Sequence, residues 1–230
     1  MRSEGSRSSR RSRTLSTVHN EAMSYSTYAL TDLLDAFASN DPAPGGGSAS
    51  ALAGALGVSL LIMVAGVART RTGAPEEAAD LAETSARLRP IREQLMELID
   101  RDSAAYTAVM VAYRLPNISQ DERAVRGQAI RAAMRAATDT PIETLRLCQQ
   151  ALEGARVVAQ NGATAAASDV RVALELLTAA ARGAAVNVDT NLPFIKDETF
   201  VASVRTERAA LETDAIAAAE RARAVLPALS

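Results

Sequence analysis

Apolar residues recur every three or four positions along most of the chain from Thr27 onward. This spacing places them on one face of a helix, and no segment shows the alternation typical of a strand. The pattern predicts one all-α domain over residues 24–230, with short connections between its helices. The predicted helices cover about residues 27–39, 48–69, 75–115, 120–140, 141–160, 168–187 and 197–227.

Two prolines fall inside or between these periodic segments. Pro90 predicts a kink or a fresh start, which leaves one long helix or two over residues 75–115. Pro141 is predicted to occupy the first turn of a new helix, where the missing backbone N–H costs nothing.

Residues 49–68 contain no charged side chain and are long enough to cross a bilayer. The stretch is rich in Ala, Gly and Ser, a composition that favours membrane insertion only weakly. Small residues such as Gly54 and Gly57 suit a helix that close neighbours bury on all sides. We therefore predict a core helix and no membrane partner, with a single membrane span as the rival hypothesis.

Residues 1–23 are rich in Ser and Arg and have no hydrophobic periodicity. They lack the apolar run of a secretory signal. We interpret them as a disordered arm, or as an extension upstream of Met23 as the working initiator. An arm that binds nucleic acid is the alternative, although a net charge of −2 for the whole chain argues against nucleic acid as the main partner.

Two residue types that often carry chemistry are nearly missing. His19 is the only histidine and lies in the N-terminal arm, and Cys148 is the only cysteine. A Ser-His-Asp triad and a His or Cys metal cluster are therefore excluded, and we predict no metal. A lone cysteine is typical of a cytoplasmic protein. Acid–base chemistry would fall to Asp, Glu, Tyr, Arg or bound water.

One carboxylate lies on an otherwise apolar helix face. The spacing connects Ile91, Leu95, Leu98, Asp102, Tyr106, Val109 and Tyr113. A carboxylate on a core face costs free energy unless it is paired or used. Burial would raise the pKa of Asp102, which is the property that a proton shuttle needs. The alternative is that Asp102 lies at the edge of the face or caps a neighbouring helix.

A second helix face is polar at both ends and small or apolar between them. Ser168 is predicted as the N-cap of this helix, and Asp169 complements its positive end. The spacing then runs to Asn187 and, if the helix persists, to Asn191. Small residues would let a partner helix or a flat ligand lie close, whereas capping alone would explain Ser168 and only one of the two asparagines.

The stretch "NDPAPGGGSASALAGALG", residues 40–57, places three glycines directly before a helix. The free N–H groups of a helix start suit an anion or a polar ligand. The spacing matches neither a P-loop nor a dinucleotide-binding fingerprint. A flexible turn is the alternative, although a turn rarely needs so many glycines.

Three stretches in this order resemble the formiminotetrahydrofolate cyclodeaminase / methenyltetrahydrofolate cyclohydrolase family. They are "LLDAFASNDPAPGGGSASALAGALG", "LIDRDSAAYTAVMVAYRLP" and "NGATAAASDVRVALELLTAAARGAAVNVDTNL". The resemblance covers about residues 27–225. It implies an up-and-down bundle of long antiparallel helices that forms a homodimer.

The resemblance also implies which residues form the site. Asp102 is the expected catalytic acid/base. The expected substrate contacts are Pro44, Gly45, Gly46, Gly47, Ser48, Arg114, Ser168, Asp169, Asn187 and Asn191.

The implied substrate is a one-carbon adduct of tetrahydrofolate, a small molecule that is also the one-carbon carrier. A cyclohydrolase adds water to the amidinium carbon between two folate nitrogens, whereas a cyclodeaminase closes that ring with loss of ammonia. A carboxylate can move the protons of either reaction and stabilise the cation. We lean slightly to the cyclohydrolase, because the chain carries no fused transferase domain. A non-catalytic folate-binding bundle is the alternative.

The chain departs from the family pattern in three places. Ala43 stands where the family commonly has Thr, and Arg69 and Arg71 replace a lysine-rich turn. Arg171 occupies a position that is usually small, and is predicted to pair with the folate glutamate tail or to narrow the pocket.

Overall fold

The computed structural model describes residues 24–228, and the predicted N-terminal arm lies outside them. Six α-helices form in this part of the chain, with 3-10 turns at Tyr25–Thr27, Thr164–Ala166 and Leu192–Phe194. The helices are α1 (Leu30–Ala38), α2 (Gly46–Ala65), α3 (Pro75–Arg114), α4 (Gln120–Asn161), α5 (Ala167–Asn191) and α6 (Glu198–Ala224). No strand forms between residues 24 and 228, where one isolated bridge pairs Thr70 with Gly162. The all-α prediction is confirmed.

Local sequence explains how several helices begin. Ser119 and Glu122 form a reciprocal capping box at the start of α4, in which each side chain accepts a hydrogen bond from the other residue's backbone N–H. The side chain of Asp197 accepts from the backbone N–H of Phe200 at 3.0 Å and caps α6. Pro75 occupies the first turn of α3.

Neither internal proline ends a helix. The helix α3 runs on through Pro90, and α4 runs on through Pro141. The prediction that Pro141 starts a separate helix is therefore wrong. Pro141 and its neighbours Thr140 and Ile142 are buried, so tertiary packing holds α4 together across the missing hydrogen bond.

Two predicted helix boundaries also change. Ser168 is not the N-cap of α5, because the helix already begins at Ala167, directly after the turn Thr164–Ala166. At its other end α5 does not stop at Asn187 but continues to Asn191. The two asparagines therefore lie one turn apart on the same helix face.

The core is built around α2, which packs against α3 and α5, while α4 packs against α3, α5 and α6. A Cβ on Gly57 would lie 2.8 Å from the Cγ of Leu177 and 3.1 Å from the carbonyl oxygen of Ala173. A Cβ on Gly54 would lie 3.0 Å from the Sγ of Cys148. These glycines therefore let neighbouring helices approach α2 closely, as the sequence predicted.

The helix α2 is also the only candidate membrane span within residues 24–228. Its most apolar 18-residue window has a mean hydropathy of 2.0, and 61% of that window is buried inside the protein. Val58 and Leu61, near its middle, are completely buried against the surrounding helices. In this protein α2 is buried as the central helix of a packed core.

Two of the three arginines that depart from the family pattern, Arg71 and Arg171, bond to backbone carbonyls away from the cavity described below. The guanidinium of Arg71 donates to the carbonyls of Gly162 (3.1 Å) and Ala159 (2.7 Å), where α4 ends. Arg171 donates to the carbonyl of Pro227 at 2.5 Å. Both therefore satisfy backbone acceptors close to a helix end.

Candidate active site

A cavity of about 430 Å³ lies where the loop before α2 meets α3, α4 and the C-terminal end of α5. Its size is that of a small-molecule site. Three of the seven aromatic residues of the chain line this cavity: Tyr106, Tyr113 and Phe194. The other lining residues are Pro42, Ala43, Gly45, Gly46, Gly47, Asp102, Ser103, Ala105, Val109, Met134, Ala137, Asn187, Thr190 and Asn191. These walls suit a flat, partly apolar ligand.

Asp102 is the carboxylate of this cavity, and Ser48 holds it in place. The backbone N–H of Ser48 donates to Oδ2 of Asp102 at 2.8 Å, and the Ser48 hydroxyl lies 3.0 Å from the same oxygen. The hydroxyl also lies 2.9 Å from the carbonyl of Ile99 and 3.1 Å from the hydroxyl of Ser103. No described residue donates to Oδ1 of Asp102, so that oxygen is free for a ligand or water.

The position of Asp102 explains why residue 47 is a glycine. A Cβ at this position would lie 2.1 Å from Oδ1 and 2.5 Å from Cγ of Asp102. No real Cβ contact is so short, so any side chain at Gly47 would displace the carboxylate. The sequence indicated that this stretch suits an anion or a polar ligand, whereas the glycine at position 47 makes room for the Asp102 carboxylate.

The environment of Asp102 raises the pKa of its carboxyl. Burial among α2 and α3 is the main cause, and the two hydrogen bonds from Ser48 oppose it in part. A carboxyl with a raised pKa exchanges its proton closer to neutral pH than an exposed aspartate does. Asp102 therefore has the property required of a general acid or base.

Two asparagines on α5 complete the polar part of the cavity. The Nδ2 of Asn187 donates to the carbonyl of Gly183, and the Nδ2 of Asn191 donates to the carbonyl of Ala137, both at 2.8 Å. Because these carbonyls can only accept, each amide turns its NH₂ group to the backbone. Each Oδ1 receives no hydrogen bond from a described residue and remains available as an acceptor.

The arrangement presents hydrogen-bond acceptors beside aromatic rings. Asp102 contributes a carboxylate oxygen, and Asn187 and Asn191 contribute amide oxygens. Such a cavity favours a flat ligand that carries N–H donors or a positive charge. Within residues 24–228, no group of three His, Cys, Asp or Glu side chains is placed to hold a metal ion.

The sequence matches the family described as Formiminotransferase-cyclodeaminase over residues 29–210. The chain belongs to this family. It is 36% identical to a protein named methenyltetrahydrofolate cyclohydrolase from Methylorubrum extorquens, over 84% of this chain and 92% of that protein. It is 29% identical to formimidoyltransferase-cyclodeaminase from Gallus gallus, over 88% of this chain but only 37% of that longer protein.

The fold agrees with that of a solved family structure. A formiminotetrahydrofolate cyclodeaminase from Thermotoga maritima superposes with a TM-score of 0.77 at 26% identity. The match covers 87% of this chain and 96% of that one. The family membership predicted from the three sequence stretches is confirmed.

Most of the residues that the family resemblance implied lie together. Asp102, the three glycines Gly45–Gly47, Asn187 and Asn191 line the cavity, and Ser48 is buried behind Asp102. Pro44 is buried next to Gly45 without lining the cavity. Their roles toward a substrate remain predictions.

Three residues implied by the family resemblance lie elsewhere. Arg114 ends α3 with an exposed side chain, and its neighbour Tyr113 lines the cavity instead. Ser168 and Asp169 lie at the first turn of α5, about 28 Å along the helix from Asn187 at 1.5 Å per residue. Any contact of theirs with a substrate would have to occur outside this cavity, and that role remains a prediction.

The family motifs did not mark several residues that the structure places in the cavity. Tyr106 and Tyr113 share the helix face of Asp102 by sequence spacing. Their polar hydroxyl groups were the available signal that this face borders a cavity and not the core. Met134 and Phe194 carry no such signal. Only the folding of α4 and of the turn after α5 against α3 brings them here.

Proposed function

We propose that this protein is an enzyme that acts on a carbon–nitrogen bond of a tetrahydrofolate one-carbon adduct, with methenyltetrahydrofolate hydrolysis as its reaction. The observation that carries the proposal is the half-buried Asp102 carboxylate, which presents a free oxygen to a cavity lined by aromatic side chains. Family membership supplies the substrate class. The relative from Methylorubrum extorquens, which this chain covers almost completely, supports the hydrolytic reaction.

The chemistry of this substrate matches the cavity. The methenyl carbon forms an amidinium cation between two nitrogens, and its fused rings are flat. Aromatic side chains such as Tyr106 and Phe194 would stack on such rings, and the negative charge of Asp102 would stabilise the cation. Asn187 and Asn191 would accept hydrogen bonds from the N–H groups of the ring system.

Asp102 would move the proton. A water molecule adds to the amidinium carbon while the Asp102 carboxylate takes one of its protons. As the carbon–nitrogen bond breaks, its electron pair stays on the nitrogen, and Asp102 returns the proton there. The remaining hydroxyl loses its proton to solvent and becomes the formyl carbonyl, so each turnover releases one proton.

The cyclodeaminase reaction is the second candidate. The fold match to the protein from Thermotoga maritima favours this reaction. It closes the ring to form the amidinium carbon that the cyclohydrolase reaction opens. Asp102 would protonate the departing ammonia. No observation favours a folate-binding bundle without turnover.

Purified protein incubated with methenyltetrahydrofolate, and separately with the formimino compound, decides between these reactions. Loss of the methenyl absorbance above the spontaneous rate supports the cyclohydrolase, and its appearance from the formimino compound supports the cyclodeaminase. If neither rate exceeds the spontaneous one, the enzyme proposal fails.

We also propose that the helices form an antiparallel up-and-down bundle and that the protein is a cytoplasmic homodimer. The short connections support the first part, because only residues 115–119 separate α3 from α4. The free, buried Cys148 fits a reducing compartment. A molar mass near 48 kDa by light scattering, twice the 24.1 kDa of the chain, would support the dimer, and a monomer mass would contradict it.

A further inference from the structure

Pro141 leaves one backbone acceptor of α4 without its helical donor. In an α-helix, the N–H of residue 141 would donate to the carbonyl of Ala137, four residues earlier. Proline has no N–H, and its ring crowds that same carbonyl. The carbonyl of Ala137 therefore needs a donor from outside the helix.

Asn191 supplies this donor from α5. Its Nδ2 lies 2.8 Å from the carbonyl oxygen of Ala137. Both Ala137 and Asn191 line the candidate active site. The bond fixes the orientation of the Asn191 amide, because the carbonyl cannot accept from Oδ1.

We infer that Pro141 is a positioning residue of the active site, which acts by reserving the carbonyl of Ala137 for Asn191. An N–H at position 141 would compete for this carbonyl and turn it toward the helix axis, which would weaken its hydrogen bond with the Asn191 amide. Pro141 itself does not line the cavity, so its effect passes through Ala137 and Asn191. The inference rests on the proposed function in one respect, that Asn191 contacts the substrate.

Pro90 provides a control for a proline inside a long helix, at an exposed position, whereas Pro141 is buried. It is the second proline inside a long helix, and its ring leaves the carbonyl of Ala86 without the helical donor in the same way. No side chain among the described residues donates to the Ala86 carbonyl. Pro90 lines a separate depression between α3 and α4 and not the candidate active site.

The first test compares Pro141→Ala with Pro90→Ala in steady-state kinetics on methenyltetrahydrofolate. We expect Pro141→Ala to raise KM about fivefold, the effect of one lost neutral hydrogen bond, while kcat and the pH profile stay unchanged because Asp102 is untouched. Pro90→Ala should leave KM unchanged. Both variants gain a helical N–H, so the exposed Pro90→Ala should not lower Tm, whereas at the buried Pro141 this gain offsets the loss of the ring's packing contacts. Pro141→Ser is a second variant that supplies the same N–H.

A double-mutant cycle tests whether Pro141 acts through Asn191. In the Asn191→Ala background, Pro141→Ala should raise KM no further. The inference is overturned if Pro141→Ala leaves KM unchanged, if Pro90→Ala raises KM equally, or if the two effects at Pro141 and Asn191 simply add.

A second measurement needs no turnover. In NMR spectra, the side-chain NH₂ protons of Asn191 should exchange slowly with solvent in the natural protein and in Pro90→Ala, and fast in Pro141→Ala. If the natural protein shows no folate turnover but this contrast appears, the proposed function fails and the role of Pro141 stands. If turnover is present and the contrast is absent, the inference fails.

Discussion

The close approach of Asp102 to Gly47 predicts what a single added methyl group would do to activity. In Gly47→Ala, the new Cβ would lie 2.1 Å from Oδ1 of Asp102, whereas ordinary van der Waals contacts begin at 3.4 Å. The carboxylate must therefore retreat by about 1.3 Å. Misplacement of a reacting group by about 1 Å can reduce the rate about 100-fold. We expect kcat to fall by that factor, which corresponds to about 2.7 kcal/mol of transition-state stabilisation.

The assay is the initial rate at which methenyl absorbance is lost, with Tm measured on the same preparation. Gly47 lies in the first turn of α2 and its φ is not positive, so alanine suits its backbone. Displacing Asp102 from Ser48 should lower Tm modestly, so the rates are compared at a temperature at which the variant is fully folded. Gly46→Ala is the graded comparison, because its Cβ would meet the Asn187 amide at an ordinary 3.6 Å and should cost far less activity. If Gly47→Ala keeps the kcat of the natural protein, the close approach to Asp102 is unimportant and the reasoning is refuted.

Further predictions concern pH and stability. With Asp102 as the base, kcat/KM should rise with pH through the raised pKa of its carboxyl, and Ser48→Ala should shift this rise to higher pH because it removes a hydrogen bond that lowers that pKa. A pH profile that does not move would contradict the Ser48 contact. Gly57→Ala should reduce the free energy of unfolding by about 1–3 kcal/mol through overpacking against Leu177, as measured by urea denaturation; an unchanged midpoint would argue against the close packing. Hydrogen bonds from the preceding turn lower the pKa of Glu77 to about 2. The ionised Glu77 carboxylate should therefore contribute its whole share of the folding stability above its usual pKa, and that share should be lost as the pH falls toward 2. Glu77→Gln should therefore lower Tm at neutral pH but not near pH 2, and an equal loss at both would exclude this cause.

The fold was predictable because helical periodicity is strong over most of the chain. The continuity of α4 through Pro141 was not, because a proline favours a helix end locally and only the burial of its neighbours overrides that preference. Sequence spacing identifies residues that share a helix face but does not show which end of the helix meets other elements. This limit explains why Asn187 and Asn191 line the cavity while Ser168 does not.

The candidate site was partly predictable for a similar reason. Asp102 was identifiable as a charge on an apolar face, which is a conflict that packing alone does not explain. Its partner Ser48 and the clearance at Gly47 depend on how α2 crosses α3, which the sequence of neither helix reveals. Tyr106 and Tyr113 followed the spacing of core residues, and periodicity does not distinguish a core face from the wall of a cavity.

The central claim is that the Asp102 carboxylate moves the proton in methenyltetrahydrofolate hydrolysis. Asp102→Asn keeps the size of the side chain and an oxygen that can accept from Ser48, but it cannot take up a proton at neutral pH. The direct measurement is the rate at which this variant bleaches methenyl absorbance under substrate saturation. We predict a rate no greater than the spontaneous one, and turnover equal to that of the natural protein would contradict the account.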